Sequence, residues 1–67
     1  MKLPYYPETD SLYIELQGQP SADSVEVSDG LVVDLDANGR VVGIDIDHAA
    51  ERMDLTRIDT VALPIRA

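Results

Sequence analysis

From Ser11 to Ile46 apolar and polar residues alternate with the period of a half-buried β-strand, broken only by short clusters of Gly, Asn, Asp and Pro. Gly30 to Ile46 reads as two strands joined at Asn38-Gly39, because Asn-Gly between alternating runs is a strong signal for a two-residue hairpin loop. That loop sets Ala37 opposite Arg40, Leu35 opposite Val42, Val33 opposite Ile44 and Leu31 opposite Ile46. Facing residues share a side of the sheet, so these last three pairs fall on one apolar face. A one-residue slip would oppose Leu35 to Val41 and Val33 to Gly43 and split the set. The other face carries Val32, Asp34, Asp36, Val41, Gly43 and Asp45 and is expected to meet water.

The same alternation places a strand over Ser11–Leu16, with Leu12, Ile14 and Leu16 facing one way and Tyr13 and Glu15 the other. Ser21–Val27 reads as a strand with Val25 and Val27 inward. A three-residue loop Ser28-Asp29-Gly30 then opposes Val27 to Leu31 and Val25 to Val33, with Gly30 in the left-handed position. Lys2–Tyr6 reads as an edge strand, since Pro4 cannot donate to a ladder. Tyr6-Pro7-Glu8-Thr9 suits a type I turn with Pro second.

After Ile46 the period changes. Asp47 is placed to cap a short helix from His48 to about Met53, with Ala49, Ala50 and Met53 toward the sheet. Thr60–Ile65 reads as an extra C-terminal strand, with Pro64 marking an edge. The expected fold is α+β: an antiparallel β-meander of about five strands, with one short helix on the apolar face, in a single small domain over 1–67.

Composition narrows the function. A chain of 67 residues buries only about 60% of its unfolded surface, so self-association is a natural remedy. The core is aliphatic, with three Tyr and no Phe, Trp or Cys, which excludes disulfides and thiolate chemistry. The formal net charge is −8. The basic residues Lys2, Arg40, Arg52, Arg57 and Arg66 form no stripe, which disfavours nucleic acid. No apolar run approaches the roughly 20 residues of a membrane span, and the N-terminus lacks a signal-peptide pattern, so the chain reads as cytoplasmic.

The sharpest chemical candidate is Asp34-x-Asp36-x-Asn38-Gly39 with Asp45 twelfth, which matches the spacing of an EF-hand calcium loop. Its context is a hairpin rather than a loop between two helices. Asp34 and Asp36 would sit about 7 Å apart along a strand. Two ligands of one calcium ion need oxygens within roughly 5 Å of each other. A solvated acidic face with a turn Asn therefore outweighs a metal site at Asp34, Asp36, Asn38 and Asp45. His48 has Asp45, Asp47 and Glu51 nearby in sequence, but reads as a surface residue at the start of a helix rather than a general base. No serine lies in a nucleophile elbow and no glycines form a phosphate loop. Tyr5, Tyr6 and Tyr13 read as edge or core packing rather than as an aromatic contact surface.

Two separated stretches, Tyr6-Pro7-Glu8-Thr9-Asp10-Ser11-Leu12-Tyr13-Ile14-Glu15-Leu16 and Asp29 to Ile46, carry a resemblance. From about Lys2 to Ala50 the chain resembles a family of short, mostly bacterial proteins catalogued as the domain of unknown function twenty-two eighty-three. Tyr6 stands where the family usually has Asp, and Pro4 interrupts the first strand. The resemblance implies small stand-alone proteins, with no established activity, cofactor or catalytic residues. The residues themselves favour a non-enzymatic module acting through homo-oligomerisation, a dimer first, or through protein–protein association. The alternatives are an acidic, antitoxin-like partner of a basic protein and a weak calcium- or magnesium-binding protein.

Overall fold

The computed structural model describes residues 1–64. Its strands are β1 (Tyr5–Tyr6), β2 (Ser11–Glu15), β3 (Asp23–Ser28), β4 (Leu31–Leu35) and β5 (Val41–Asp47), followed by a single helical turn, α1 (Ala49–Arg52). All pairings are antiparallel, in one sheet ordered β1-β2-β5-β4-β3.

This order corrects the expected meander. Strands β3, β4 and β5 follow one another by hairpins, but β2 lies beside β5, so β2-β5-β4-β3 is a Greek key. The reason lies in the side chains. Leu12 and Ile14 of β2 sit opposite Ile46 and Ile44 of β5. Strand β5 thus takes the central place, between the apolar sides of β2 and β4. Strand β3, DSVEVS, is exposed along its whole length and takes the edge. Residues 16–22 then cross from one side of the sheet to the other at the end where β4 turns into β5. The crossing begins with the Leu16 and Gln17 amides donating to the Val42 carbonyl, at 2.9 and 3.3 Å, and ends with Ala22 N–H donating to Leu35 O at 2.7 Å.

The hairpin registers stand where the apolar face demands them: Val33 opposite Ile44, Leu31 opposite Ile46 and Val25 opposite Val33. The turns differ from expectation. At the β4–β5 tip Asp36 N–H donates to Arg40 O, and Gly39 N–H to Asp36 O. Gly39 has φ +78°, while Asn38 keeps a negative φ. The loop is therefore three residues, Ala37-Asn38-Gly39, not two. The Asp36 carboxylate explains the choice, because its Oδ1 accepts both Asn38 N–H at 2.8 Å and Arg40 N–H at 3.0 Å. The longer loop sets Leu35 against Val41, and a bulge at Val42 restores the register before Asp34 meets Gly43. A second bulge lies at Val27 in β3, where Ser28 rather than Val27 faces Leu31, and Gly30 takes φ +76° as anticipated.

The first hairpin keeps its type I turn, with Thr9 N–H donating to Tyr6 O at 3.3 Å. Pro4 shortens β1. Its carbonyl accepts Tyr13 N–H at 3.0 Å, but it has no N–H to return the bond, and pairing resumes only at Lys2 with Glu15.

The helix is shorter than expected and is capped differently. His48, at φ +55°, is the N-cap residue and contributes no side-chain bond. The cap comes from the loop before β2: Asp10 O accepts Ala49 N–H at 2.9 Å, and Asp10 Oδ1 accepts Ala50 N–H at 3.0 Å. Asp47 instead accepts a bond from Ser11 Oγ. At its other end Arg52 Nη2 donates to Asp29 O at 2.7 Å. The turn thus sits at the end of the sheet, between the β1–β2 and β3–β4 loops. Only Ala49 is buried there, while Ala50 and Met53 are exposed. The expected strand Thr60–Ile65 is absent over residues 60–64, where Val61 is 85% exposed and Ala62 has φ +59°; Ile65 lies outside the described residues.

Candidate functional site: two faces of one sheet

Alternation along the strands gives the sheet two chemically different faces. On the polar face Ser11, Tyr13 and Glu15 of β2 sit opposite Asp47, Asp45 and Gly43 of β5. Asp45 and Gly43 in turn sit opposite Val32 and Asp34 of β4, which face Glu26 and Ser24 of β3. Five carboxylates, those of Glu15, Glu26, Asp34, Asp45 and Asp47, therefore share this side.

Tyr13 organises the polar face. Its ring lies across Gly43, whose missing side chain is the condition for that approach: a methyl placed there would collide with the Tyr13 phenol. The phenol donates to Asp34 Oδ2 at 2.9 Å, and Ser24 Oγ donates to Asp34 Oδ1 at 2.7 Å. Burial pushes the Tyr13 hydroxyl up to about 12, reinforced by its bond to Asp34. The glycine inside an otherwise regular strand was the sequence signal for this contact. Nothing in the sequence marked Asp10, whose carboxylate accepts the Tyr5 hydroxyl at 2.7 Å as well as the Ala50 amide. Those two bonds, Tyr5 first, hold the Asp10 carboxyl below the usual carboxylate range.

The candidate metal residues fall in different settings. Asp34 is tied to Tyr13 and Ser24 in mid-strand. Asp36 is committed to its turn. Asn38 is exposed at the tip, and Asp45 lies opposite Val32. Among the described residues no three His, Asp or Glu side chains gather where they could hold one ion. His48 is exposed, with Nδ1 3.6 Å from Glu51 Oε2.

Asp45 carries a pH dependence. Burial raises its carboxyl above the usual range, and Asp47 and Asp34 act in the same direction. A folded pKa above the unfolded value means that the associated stability is present below the unfolded pKa of about 3.9 and is lost as pH rises through the folded value. Asp45→Asn is therefore expected to raise the urea midpoint at pH 7 and to change it little near pH 3. A lower midpoint at pH 7 would show that the charged carboxylate makes a favourable contact.

On the apolar face Leu12 and Ile14 of β2, Ile44 and Ile46 of β5, and Leu31 and Val33 of β4 share one side as an aliphatic patch. Across the described residues only Leu12, Val42 and Ala49 are buried hydrophobics. The rim is open, with Leu3, Tyr5 and Val25 at 39, 41 and 43% exposure.

Fold and faces together define a small Greek-key sheet protein with one acidic and one aliphatic side. The chain belongs to the family of proteins of unknown function designated DUF2283, whose model matches residues 2–49. No curated protein and no solved structure matches it. No helix among the described residues is long and apolar enough to cross a membrane.

Proposed function

We propose that this chain is a small association module whose working surface is the aliphatic face of its sheet. The observation that carries this reading is the shortage of cover on that face. A sheet with one apolar side needs a second layer against which to bury it. Among the described residues the only helix is one turn at the end of the sheet, and the rim residues Leu3, Tyr5 and Val25 stay open to solvent. Neighbouring positions on β3 provide the test, because Val25 faces the aliphatic side and Glu26 the acidic side. A photo-crosslinking amino acid at position 25, in the protein expressed in its own cells, is expected to give a discrete adduct that the same group at position 26 does not. Absence of an adduct from position 25 would remove the reading.

The acidic side supports a second reading, an antitoxin-like partner of a basic protein. Five carboxylates share that face, and Asp45 is raised by burial and, after that, by its like-charged neighbours Asp47 and Asp34. Such a complex would crosslink from position 26 rather than 25 and would loosen as salt is added.

A further inference from the structure

We infer that Asn38 is a site of covalent modification, at which the side-chain amide is lost to attack by the Gly39 backbone nitrogen, and that the Asp36 turn sets the rate. The inference concerns the hairpin tip and is independent of the role of the aliphatic face. Asn38 is the one asparagine of the chain, and it is followed by glycine. The Gly39 nitrogen is adjacent in the chain to Asn38 Cγ, and a bond between them closes a cyclic imide. With no side chain on Gly39, nothing crowds the attacking nitrogen. As that bond forms, the Cγ–Nδ2 bond breaks and ammonia leaves, taking the Gly39 amide proton with it. Water then opens the imide at either carbonyl. Opening at Cγ gives aspartate. Opening at the backbone carbonyl gives isoaspartate, in which the main chain runs through the side chain. Either product replaces a neutral amide by a carboxylate and takes the net charge from −8 to about −9.

The surroundings favour this pair over Asp29-Gly30, where the same ring could close. A Cβ on Gly30 would stand 2.7 Å from Arg52 Nη2 and 3.4 Å from Asp47 Cβ, and Arg52 also donates to Asp29 O. That turn is covered. At Gly39 no atom beyond its chain neighbours lies within 4 Å of where a Cβ would stand, and residues 37–40 are all exposed. Water and hydroxide reach the Gly39 nitrogen from solvent.

The turn itself supplies the restraint. Gly39 N–H donates to Asp36 O at 3.0 Å, so the proton that must leave is held. The Asp36 carboxylate fixes the loop around it by accepting Asn38 N–H and Arg40 N–H. Attack therefore waits for the turn to open. The same opening frees Gly39 N–H to exchange with solvent. Protection from exchange and protection from deamidation have one cause and should have one size, about tenfold for an exposed turn held by a few hydrogen bonds.

The test incubates the full chain in mildly alkaline buffer, folded and in urea, and maps the products by peptide mass spectrometry. The expected result is conversion at Asn38 in both samples, with isoaspartate among the products. The folded chain should react about tenfold more slowly, with Gly39 amide exchange slowed to match. Asp36→Ala removes the acceptor of two loop amides and is expected to bring the folded chain close to the urea rate. Asp36→Asn keeps an oxygen acceptor in the same place and is expected to retain most of the protection, which keeps the comparison informative even if the alanine variant loses its circular dichroism. Gly39→Ala is expected to slow the reaction in urea, where the fold plays no part. An intact Asn38 in the folded chain after the urea sample has converted would overturn the site, and an unchanged urea rate in Gly39→Ala would overturn the nucleophile. Equal rates for the folded and the urea-treated chain, or an Asp36→Asn chain that stays folded yet reacts at the urea rate, would overturn the control by the turn.

Discussion

Gly43→Ala is expected to destabilise the fold by about 2 kcal/mol, although the substitution would ordinarily help a strand. Replacing a strand glycine with alanine removes about 0.5–1 kcal/mol of unfolded-chain entropy. Against this stands the Tyr13 ring, whose hydroxyl and adjacent ring carbon occupy the space a methyl needs. Overpacking of this kind costs about 1–3 kcal/mol, and the displaced ring also gives up the Tyr13–Asp34 hydrogen bond, worth about 1.5–3 kcal/mol when the acceptor is charged. The steric term therefore wins, and a net loss of about 2 kcal/mol corresponds to a melting temperature roughly 10 °C lower for a domain of this size. The decisive measurement is a double-mutant cycle. In a Tyr13→Ala background the obstacle is gone, and Gly43→Ala should become neutral or stabilising, giving an interaction energy of about 2 kcal/mol. Equal costs in both backgrounds would show that the ring does not rest on Gly43.

The same contact illustrates what the sequence made legible. Alternation located the strands and fixed which residues share a face, because a one-residue slip would turn a whole aliphatic set toward water. Val33 opposite Ile44, Leu31 opposite Ile46 and Val25 opposite Val33 follow from that constraint. Turn chemistry was less decisive. Asn38-Gly39 suggested a two-residue loop, but the Asp36 carboxylate captured two amides of a longer one, and the bulge at Val42 absorbed the difference. A bulge lets the face and the turn each keep their preference, so agreement of the face alone did not fix the turn. Strand order lay further from view. Alternation shows that β2 has an apolar side but not which strand it pairs with, and β5 won because its aliphatic residues outmatch those of β3. The cap on α1 was invisible for a similar reason, since Asp10 and Ala50 are 40 positions apart. The alternation of Val61 and Leu63 did not by itself supply a strand, although β3 leaves its outer edge unpaired. The spacing of Asp34, Asp36, Asn38 and Asp45 was read with its hairpin context, and the structure distributes those residues along a strand, a turn and a neighbouring strand.

Val42→Ala is the second substitution expected to have a large effect, and its cause is the bulge itself. Val42 is 2% exposed and is the largest fully buried side chain among the described residues. Removing two methyl groups forfeits about 1.6 kcal/mol of transfer free energy at ~0.8 kcal/mol each. The space left behind adds to that, for a total of about 2–3 kcal/mol. The adjacent Val41, 38% exposed, provides the control, and Val41→Ala should stay within about 0.5 kcal/mol of wild type. The loss at Val42 should also have a direction in space. Its carbonyl accepts the amides of both Leu16 and Gln17, where the chain leaves β2 to cross toward β3. A bulge loosened by the smaller side chain weakens the start of that crossing before it weakens the pairing of Val33 with Ile44. Amide exchange in Val42→Ala should therefore accelerate at Leu16 and Gln17 more than at Ile44. Equal acceleration at all three would mean that the crossing opens only with the whole sheet, and that Val42 supports the core without anchoring the Greek key.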